Sequence, residues 1–480
     1  MNRYINCLAL LSSLFCAVSC KKFLDVKPVD EFLEETVYNS EASINSAVTG
    51  IYMNMADEGL YGGNLTATTM DVLAQYYSPN NLEKTDFNGV VKFSYDEKEV
   101  KEKFSAVWEQ SYRNVLNINV LLEKIAATPS TVLADSRKEV LRGEMYALRA
   151  MHHFELLRVF GPVVATAPSE ISIPYYSEPS KAANPLLPAA AVLDKVLADL
   201  DSAISKLGSD PVRTEGVKPL SGTDVFADFY KLRNHRMNYF SALALKARVA
   251  LYKNDKALAL KCAQQVIDEA TPYFPWSPAA ASLPGIENPD RIFSSEILFG
   301  IENINLYTLQ RNYFNAGITA GKLLAPTSDK LTSVYGYSND FRYRSSWILD
   351  QSSNKNYKTF YKFTEVNDKE SPVRYFQPLI RISEMYYIAA ECTSNTAGAS
   401  VYLNRVRANR GLPDITAVND ISTELTKEYA REFWGEGQLF FYYKRNNFPA
   451  IPDPLSPEAT ISMGKRQYKI PLPDSETRNR

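Results

Sequence analysis

Apolar side chains recur at three- and four-residue steps along several long stretches of the chain, a spacing that places them on one face of an α-helix. Val107, Val115, Ile118 and Leu122 follow this spacing in one such stretch. The pattern predicts helices over residues 104–127, 136–160, 191–207, 237–253, 256–269, 378–393, 399–409 and 423–434. The helix over 136–160 carries two apolar stripes, so we expect it to be covered on both sides. The predicted fold class is all-α, or mainly α with long loop insertions.

The two helices predicted over 237–253 and 256–269 resemble a tetratricopeptide pair. Ala247 and Ala259 lie twelve residues apart across an Asn-Asp turn, and small residues at this spacing let two antiparallel helices approach closely. Helices 104–127 with 136–160, and 378–393 with 399–409, are candidates for further degenerate pairs. A regular 34-residue period is absent from the sequence, so we expect a helical core with irregular insertions.

Those insertions cover roughly residues 56–100, 162–190, 208–236 and 271–376. They hold most of the proline, glycine, asparagine and aromatic residues. Loops on a rigid scaffold commonly carry binding residues, so the insertions are where we expect a ligand to bind.

The first twenty residues have the layout of a lipoprotein signal. A start with one positive charge, Arg3, precedes an apolar run over 5–18, and small residues lead into Cys20. The run is shorter than the roughly 20 residues that span a bilayer. The sequence predicts removal of residues 1–19 and lipid anchoring of the new first residue, Cys20. An ordinary signal with a chance cysteine is the alternative.

Composition narrows the function classes. Removal of residues 1–19 takes Arg3 and no acid, so 53 basic residues become 52 against 55 acidic ones. This near-neutral balance gives no basic stripe of the kind that nucleic-acid binding needs. Cys262 and Cys392 fall in helical sequence and are predicted to be buried free thiols.

The sequence offers no catalytic or cofactor motif. Glycine-rich phosphate loops and the nucleophile elbow G-x-S-x-G are both missing from it. His152 and His153 are adjacent on a helix, so they point about 100° apart and cannot share a metal. We therefore predict no enzyme activity, no cofactor and no metal site, although carboxylates brought together by folding are not visible in a sequence.

Aromatic clusters in the insertions are the remaining candidates for ligand binding, because flat rings stack on sugar faces while polar groups fix the hydroxyls. Packing in the core or in a loop is the alternative for each ring. Trp276 lies in a proline-stiffened loop, where it could hold a ring in place at low entropic cost. The candidate ligand-binding residues are Asp71, Tyr76, Tyr77, Trp276, Tyr307 and Tyr313.

Several segments, in order along the chain, resemble the SusD/RagB-like lipoproteins. The first is Cys20 followed by Phe23-Leu24-Asp25 and Pro28. The later ones are Arg142-Gly-Glu-Met-Tyr-Ala-Leu-Arg-Ala150 running to Phe160-Gly161-Pro162, Pro378-Leu-Ile-Arg381 leading to Ala390-Glu391, Leu403-Asn-Arg-Val-Arg407 with Arg410-Gly411, Arg431-Glu-Phe-Trp-Gly-Glu-Gly437, and Ile470-Pro-Leu-Pro473 with Glu476. Leu439 and Tyr442 depart from the family pattern, which usually has Arg and Asp there.

The resemblance implies a single domain over residues 20–480, built on four tetratricopeptide-like helix pairs. It implies attachment to the outer membrane through a lipid, usually on the extracellular side, and no catalysis. The implied partners are an oligosaccharide and a SusC-like, TonB-dependent transporter that imports it. A tetratricopeptide-type peptide- or protein-binding component of an uptake complex is the alternative, and a secreted glycoside hydrolase is the third hypothesis.

Overall fold

The computed structural model describes residues 38–180, 182–222, 224, 228–416, 420–456 and 458–478. The predicted signal peptide and the lipidation site Cys20 lie outside these residues. Within the described part of the chain, no helix has both the length and the apolar character needed to cross a membrane.

Eight helices form an array in which each packs on the next along the chain. The helices named above as candidate pairs pack on each other, and close contacts between neighbours run through the whole array, so the predicted fold class is confirmed. Their bounds are α1 Glu41–Met55, α2 Lys98–Ala127, α3 Asp135–Phe160, α4 Ala189–Lys206, α5 Tyr239–Tyr252, α6 Lys256–Ala270, α7 Ile382–Cys392 and α8 Thr396–Ala408.

The pair α5/α6 shows how the sequence specifies this packing. The side chain of Asn238 accepts a hydrogen bond from the Ser241 backbone N–H (3.0 Å) and so caps the start of α5. Asp255 caps α6 in the same way through Leu258 N–H (3.0 Å). Only three residues separate the helices, so they run antiparallel. Ala247 and Ala259 are fully buried between them, as their spacing predicts.

All eight helices predicted from the sequence are present, with shifted ends. The prediction of helix from residue 378 is wrong at its start, because residues 376–381 form a buried strand, β6, and the helix begins at Ile382. Pro378 has no N–H to give to a helix, and its segment pairs instead with the strand over residues 297–302. Helix α1 is not in the prediction, although Ser40 caps it through Ser43 N–H.

The strands form four two-stranded antiparallel sheets within the described residues. They are β1 Ile171–Pro174 with β2 Leu186–Pro188, β3 Ile297–Glu302 with β6 Phe376–Arg381, β4 Trp347–Ile348 with β5 Thr359–Phe360, and β7 Ala450–Pro452 with β8 Thr460–Ser462. Two further helices follow the array, the twelve-residue α9 Ile421–Glu432 and the seven-residue α10 Leu439–Arg445. Short helices lie in the connections at Thr69–Leu73, Asn88–Val91, Val212–Glu215, Leu306–Tyr313, Ser328–Tyr335, Phe341–Ser346, Lys465–Tyr468 and Asp474–Thr477.

One hydrophobic core runs from Ile44 to Ile470 and includes all eight array helices. Whether residues 20–480 form a single domain stays a prediction.

A buried ion network, centred on the end of α9, lies beside this core. Glu432 contacts the guanidinium groups of Arg342, Arg381 and Arg410. Its further members are Lys362, Arg407, Arg431, Glu296, Asp340, Glu428 and Glu436. The network joins β6, the end of α8 and the insertion over 271–376, so it fixes where that insertion leaves the array.

Candidate functional site

Asp71, Tyr76 and Tyr77 lie in the protein interior. Asp71 accepts hydrogen bonds from the backbone N–H groups of Gly435 (2.6 Å) and Gly437 (3.1 Å). Both glycines have positive φ, 85° and 70°, a conformation that few other residues adopt without strain. Burial raises the pKa of Asp71 well above its usual value, although the two N–H groups and Lys362 oppose the shift. This contact ties the first insertion to the turn between α9 and α10.

The two tyrosines pack on the same turn. The Tyr76 ring stacks on Trp434 with 4.0 Å between centroids, and its hydroxyl donates to the carbonyl of Ala430 (2.8 Å). Tyr77 meets Trp434 edge-on at 6.1 Å. Ligand contact by Asp71, Tyr76 or Tyr77 stays a prediction. The contacts they make in the structure are internal.

Trp276 is half-buried beside the array. Its ring lies 5.2 Å from that of Tyr386, and the Arg410 guanidinium lies 5.5 Å from its centroid. Ser277 N–H donates to Glu296 (3.0 Å), which fixes the loop next to the indole. The structure therefore places Trp276 against α7, apart from the other five candidate residues.

Tyr307 opens the short helix Leu306–Tyr313 and is buried. Its ring lies 4.6 Å from that of Tyr375, and its hydroxyl accepts the N–H groups of Val366 (3.2 Å) and Tyr375 (3.3 Å). The Arg374 guanidinium lies 4.9 Å from the Tyr375 ring. Tyr307 therefore organises the segment between β5 and β6.

Tyr313, at the other end of that helix, is half-buried and lies where the first and last insertions meet. Its hydroxyl donates to Glu58 (2.7 Å), and Phe87 contacts its ring edge-on at 5.6 Å. Lys103 lies 4.1 Å from the Phe87 ring. Burial and the Glu58 carboxylate both raise the pKa of Tyr313. We call Glu58, Phe87 and Tyr313 the Tyr313 cluster, and it has the ring and the polar groups that a sugar needs.

A cleft of about 540 Å³ lies next to this cluster. The end of α1, part of the insertion over 208–236, and the turn after β3 line it. We call it the insertion cleft. Its ring-bearing residues are Tyr52, Phe229 and His235, its polar residues include Asp57, Lys231, Glu302, Asn303 and Asn305, and exposed Met53, Leu220 and Ile304 lie at its edge.

Contacts with buried charged residues fix the side chains that line the insertion cleft. The Arg236 guanidinium lies 3.8 Å from the centroid of the Phe229 ring, where it packs as a cation on an aromatic face. It also pairs with the buried carboxylate of Glu144 (2.7 Å), which accepts a hydrogen bond from the Tyr52 hydroxyl (2.9 Å). His235 stacks on Phe376 at 4.0 Å, and burial lowers its pKa to about 4, so the ring is neutral at neutral pH. The cleft thus has fixed rings and a mixed polar lining.

Residues that are neighbours in the chain join the insertion cleft to the Tyr313 cluster, so we treat the two together as the candidate surface. Asp57 lines the cleft, and the next residue, Glu58, holds Tyr313. Asn305 lines the cleft, and the helix that carries Tyr313 begins one residue later. Of the six candidate residues, only Tyr313 lies on this surface. Phe229, His235 and Arg236 were not among the predicted residues, because only folding brings the insertion over 208–236 next to α1.

The structure gives the two adjacent histidines separate roles. His153 Nδ1 lies 2.9 Å from the Arg149 carbonyl and its Nε2 accepts Tyr176 N–H (3.1 Å), whereas His152 has one long contact, Nε2 to Asn114 Nδ2 at 3.4 Å. Among the described residues, no group of three His, Cys, Asp or Glu side chains is placed to hold a metal.

Comparison with known proteins identifies related sequences and folds. A family model described as starch-binding associating with outer membrane matches residues 22–219, and a SusD family model matches residues 307–476. SusD-like protein P25 of Formosa agariphila is 20% identical over 303 residues, 62% of this chain and 51% of that protein. The chain spans about half the length of the curated relatives it matches.

Two solved structures show the likeness in fold. A SusD superfamily protein of Bacteroides thetaiotaomicron has a TM-score of 0.72 at 18% identity, covering 92% of this chain and 98% of that one. A laminarin-binding SusD-like protein has a TM-score of 0.62 at 18% identity, covering 85% and 92%. The two sequence matches fall in both halves of the chain and cover the segments singled out above. Together with this fold, they show that the chain belongs to the SusD/RagB-like family.

Proposed function

We propose that this protein is an outer-membrane lipoprotein that binds a nutrient oligosaccharide and passes it to a SusC-like, TonB-dependent transporter. The insertion cleft together with the Tyr313 cluster supports this proposal most directly. Aromatic rings with a few placed polar groups are the usual lining of a sugar site, and this surface lies mainly on the insertions, with the end of α1 as one wall. Membership of a carbohydrate-binding family supports the same ligand class.

Binding by such a surface requires no chemistry. Phe229 and Tyr313 offer rings to sugar C–H faces, while Asp57, Glu302 and Asn305 offer hydrogen bonds to hydroxyls. An affinity in the micromolar to millimolar range corresponds to roughly −8 to −4 kcal/mol. Loss of one stacking ring would remove a large part of that, so single substitutions are informative.

Isothermal titration against a glycan panel tests the ligand class. We expect Tyr313→Ala to weaken binding at least tenfold, and Tyr313→Phe, which keeps the ring and loses only the hydrogen bond to Glu58, to have a smaller effect. Tyr337→Ala is the matched control, since Tyr337 is an exposed tyrosine outside this surface. Equal losses in Tyr313→Ala and the control would reject the site.

Peptide binding is the second candidate function, and the exposed apolar side chains of Met53, Leu220 and Ile304 at the cleft edge favour it. The same titration decides between the two. Binding to peptides with no binding to any glycan would replace the sugar by a peptide as the ligand.

Anchoring and partnership need separate experiments. We expect Cys20→Ala to move the protein from the membrane fraction to the soluble fraction. We expect the wild type to co-purify with a TonB-dependent barrel from its own organism. An unchanged membrane fraction for Cys20→Ala would reject lipid anchoring at this residue.

A further inference from the structure

Arg291 differs from the other arginines that are shielded from solvent. Within the described part of the chain, every other arginine that is not exposed has a carboxylate within 4.0 Å, including Arg149, Arg233 and Arg248. Arg291 is half-buried and has neither an ion pair nor a hydrogen bond there. Its Nε atom is buried without a partner, and leaving a buried donor unsatisfied is costly, so this position fits a missing acceptor such as an oxygen of an anion.

The nearest acid is already committed elsewhere. Asp290 precedes Arg291 in the chain, but its carboxylate turns back to accept Ser294 N–H (2.8 Å) and the Ser294 hydroxyl (2.9 Å). Burial lowers the pKa of Arg291, and only the Tyr361 and Tyr307 hydroxyls oppose this shift. No acidic group of the described chain compensates the charge.

Arg291 lines a small pocket behind the insertion cleft. The pocket holds about 20 Å³ and is bounded by Tyr307, Phe363, Thr364 and Phe376. The same Phe376 ring stacks on His235 of the insertion cleft. The segment over 302–307 also contributes to both, since Asn305 lines the cleft and Tyr307 the pocket. The pocket and the proposed ligand surface are therefore separated by the Phe376 ring and linked by the segment over 302–307.

Two buried polar atoms in this pocket lack hydrogen-bond partners, Arg291 Nε and Thr364 Oγ1. Both can donate. Three further polar side chains line the pocket and already have partners. Lys362 binds the Trp434 carbonyl (3.0 Å) and the Glu436 carboxylate, the Asp290 carboxylate accepts from Ser294, and the Tyr307 hydroxyl accepts from two backbone N–H groups. A volume of about 20 Å³ takes an object of about the size of one water molecule, so a whole sugar ring is excluded while one oxygen of a carboxylate fits.

We infer that Arg291 and Thr364 form an anion subsite that takes the carboxylate of an acidic sugar, a uronate, in the bound oligosaccharide. The guanidinium would bind the carboxylate through a charge-assisted hydrogen bond from Nε, and the Thr364 hydroxyl would donate to the inserted oxygen. This inference rests on the proposed function and narrows its ligand to uronate-containing glycans.

The test compares matched ligands and matched variants of the whole protein. The ligands are oligosaccharides of galacturonic, glucuronic, mannuronic and guluronic acid, each with its neutral methyl ester, together with neutral glucans and sulfated glycans. The variants are Arg291→Gln, Thr364→Val and Arg113→Gln, the last removing an exposed arginine of α2 as the control. Titration gives the affinities, and circular dichroism verifies that each variant is folded.

We expect at least one uronate oligosaccharide to bind at least tenfold more tightly than its methyl ester, and Arg291→Gln to abolish that difference. Thr364→Val should reduce the difference partly, and Arg113→Gln should leave it unchanged. Equal binding of acid and ester, binding of neutral or sulfated glycans alone, or an ordered water as the only occupant of the pocket in a liganded crystal would overturn the inference while leaving glycan binding intact. Absence of binding to every glycan would reject the proposed function itself.

Discussion

Replacement of Glu432 by glutamine tests whether the buried ion network holds the fold together. Glu432 is buried, and its two oxygens accept from Arg342 Nη1 (2.7 Å) and from Arg410 Nη2 (2.7 Å) and Nε (3.1 Å). They also accept from Arg381, and a second bond from Arg381 reaches the Glu432 backbone carbonyl. Glutamine keeps the shape but removes the charge and turns an N–H₂ group toward a guanidinium.

We expect Glu432→Gln to lower the free energy of unfolding by about 3 kcal/mol at neutral pH. Loss of one partner from a buried ion pair costs about 3–5 kcal/mol. The lower end applies because the three arginines keep other carboxylates, with Arg342 beside Asp340 and Arg410 beside Glu296.

The pH dependence gives the prediction a second readout. Burial alone would raise the pKa of Glu432, but Arg381, Arg410 and Arg342 outweigh it and hold the pKa well below 4.5. A carboxylate with a depressed folded pKa stabilises the fold above its unfolded pKa, and this contribution is lost as pH falls toward the folded value. The difference between wild type and Glu432→Gln should therefore shrink at acid pH.

Urea denaturation followed by circular dichroism, at pH 7 and at pH 4, measures both effects. Glu424→Gln is the matched control, because Glu424 is on the same helix but pairs with the half-exposed Lys427; such pairs contribute at most about 1 kcal/mol. A loss below about 1 kcal/mol for Glu432→Gln, or one equal to the control, would refute the reasoning.

Two further substitutions probe the interior. His152 makes one long hydrogen bond, and burial lowers its pKa to about 3. Below pH 6.5 this residue therefore binds more protons in the unfolded chain than in the folded one, which costs the wild type about 2 kcal/mol of stability between pH 7 and pH 5. His152→Leu should abolish this loss. His153→Leu should destabilise at pH 7, since Tyr176 N–H and the Arg149 carbonyl lose a partner. Because burial lowers the pKa of His153 to about 3 as well, this deficit should shrink at pH 5, and equal melting curves for the two variants at pH 7 would contradict the assignment. Trp434→Leu should cost about 3 kcal/mol or more by urea denaturation, because the indole stacks on Tyr76; a loss under 1 kcal/mol would show that this stacking is not required.

The helices of the array could be predicted from the sequence because their signals are local. Apolar spacing, a breaker such as Gly161-Pro162 and caps such as Asp255 each act within a few residues. The strand β6 was missed because its signal is not local. Residues 376–381 are strand only because β3, about eighty residues earlier in the chain, offers an edge to pair with.

The candidate site was harder to predict for the same reason. Aromatic residues in insertions pointed to the right part of the chain, and Tyr313 lies on the candidate surface. Asp71 and Tyr76 lie in a similar aromatic-rich segment of an insertion, yet Trp434 and the turn after α9 bury them. A sequence does not show which loop will cover which ring. Nothing in the sequence marks Arg291 as a candidate, because the lack of a hydrogen-bond partner for its Nε becomes visible only in the folded structure.

The buried positions also explain why the segment Glu432-Phe-Trp-Gly-Glu-Gly437 is so specific a motif. Glu432 and Glu436 hold Arg381 of β6, Trp434 supports Tyr76, and Gly435 and Gly437 present their N–H groups to Asp71. Five of the six successive positions thus tie the first insertion and β6 to the turn that follows α9. Change in any of them alters the fold, whereas Tyr313, Phe229 and Arg291 lie beyond these attachment points and can vary without breaking them. A family built this way can keep one scaffold and change its ligand, so the specificity of this protein should be sought in the insertions.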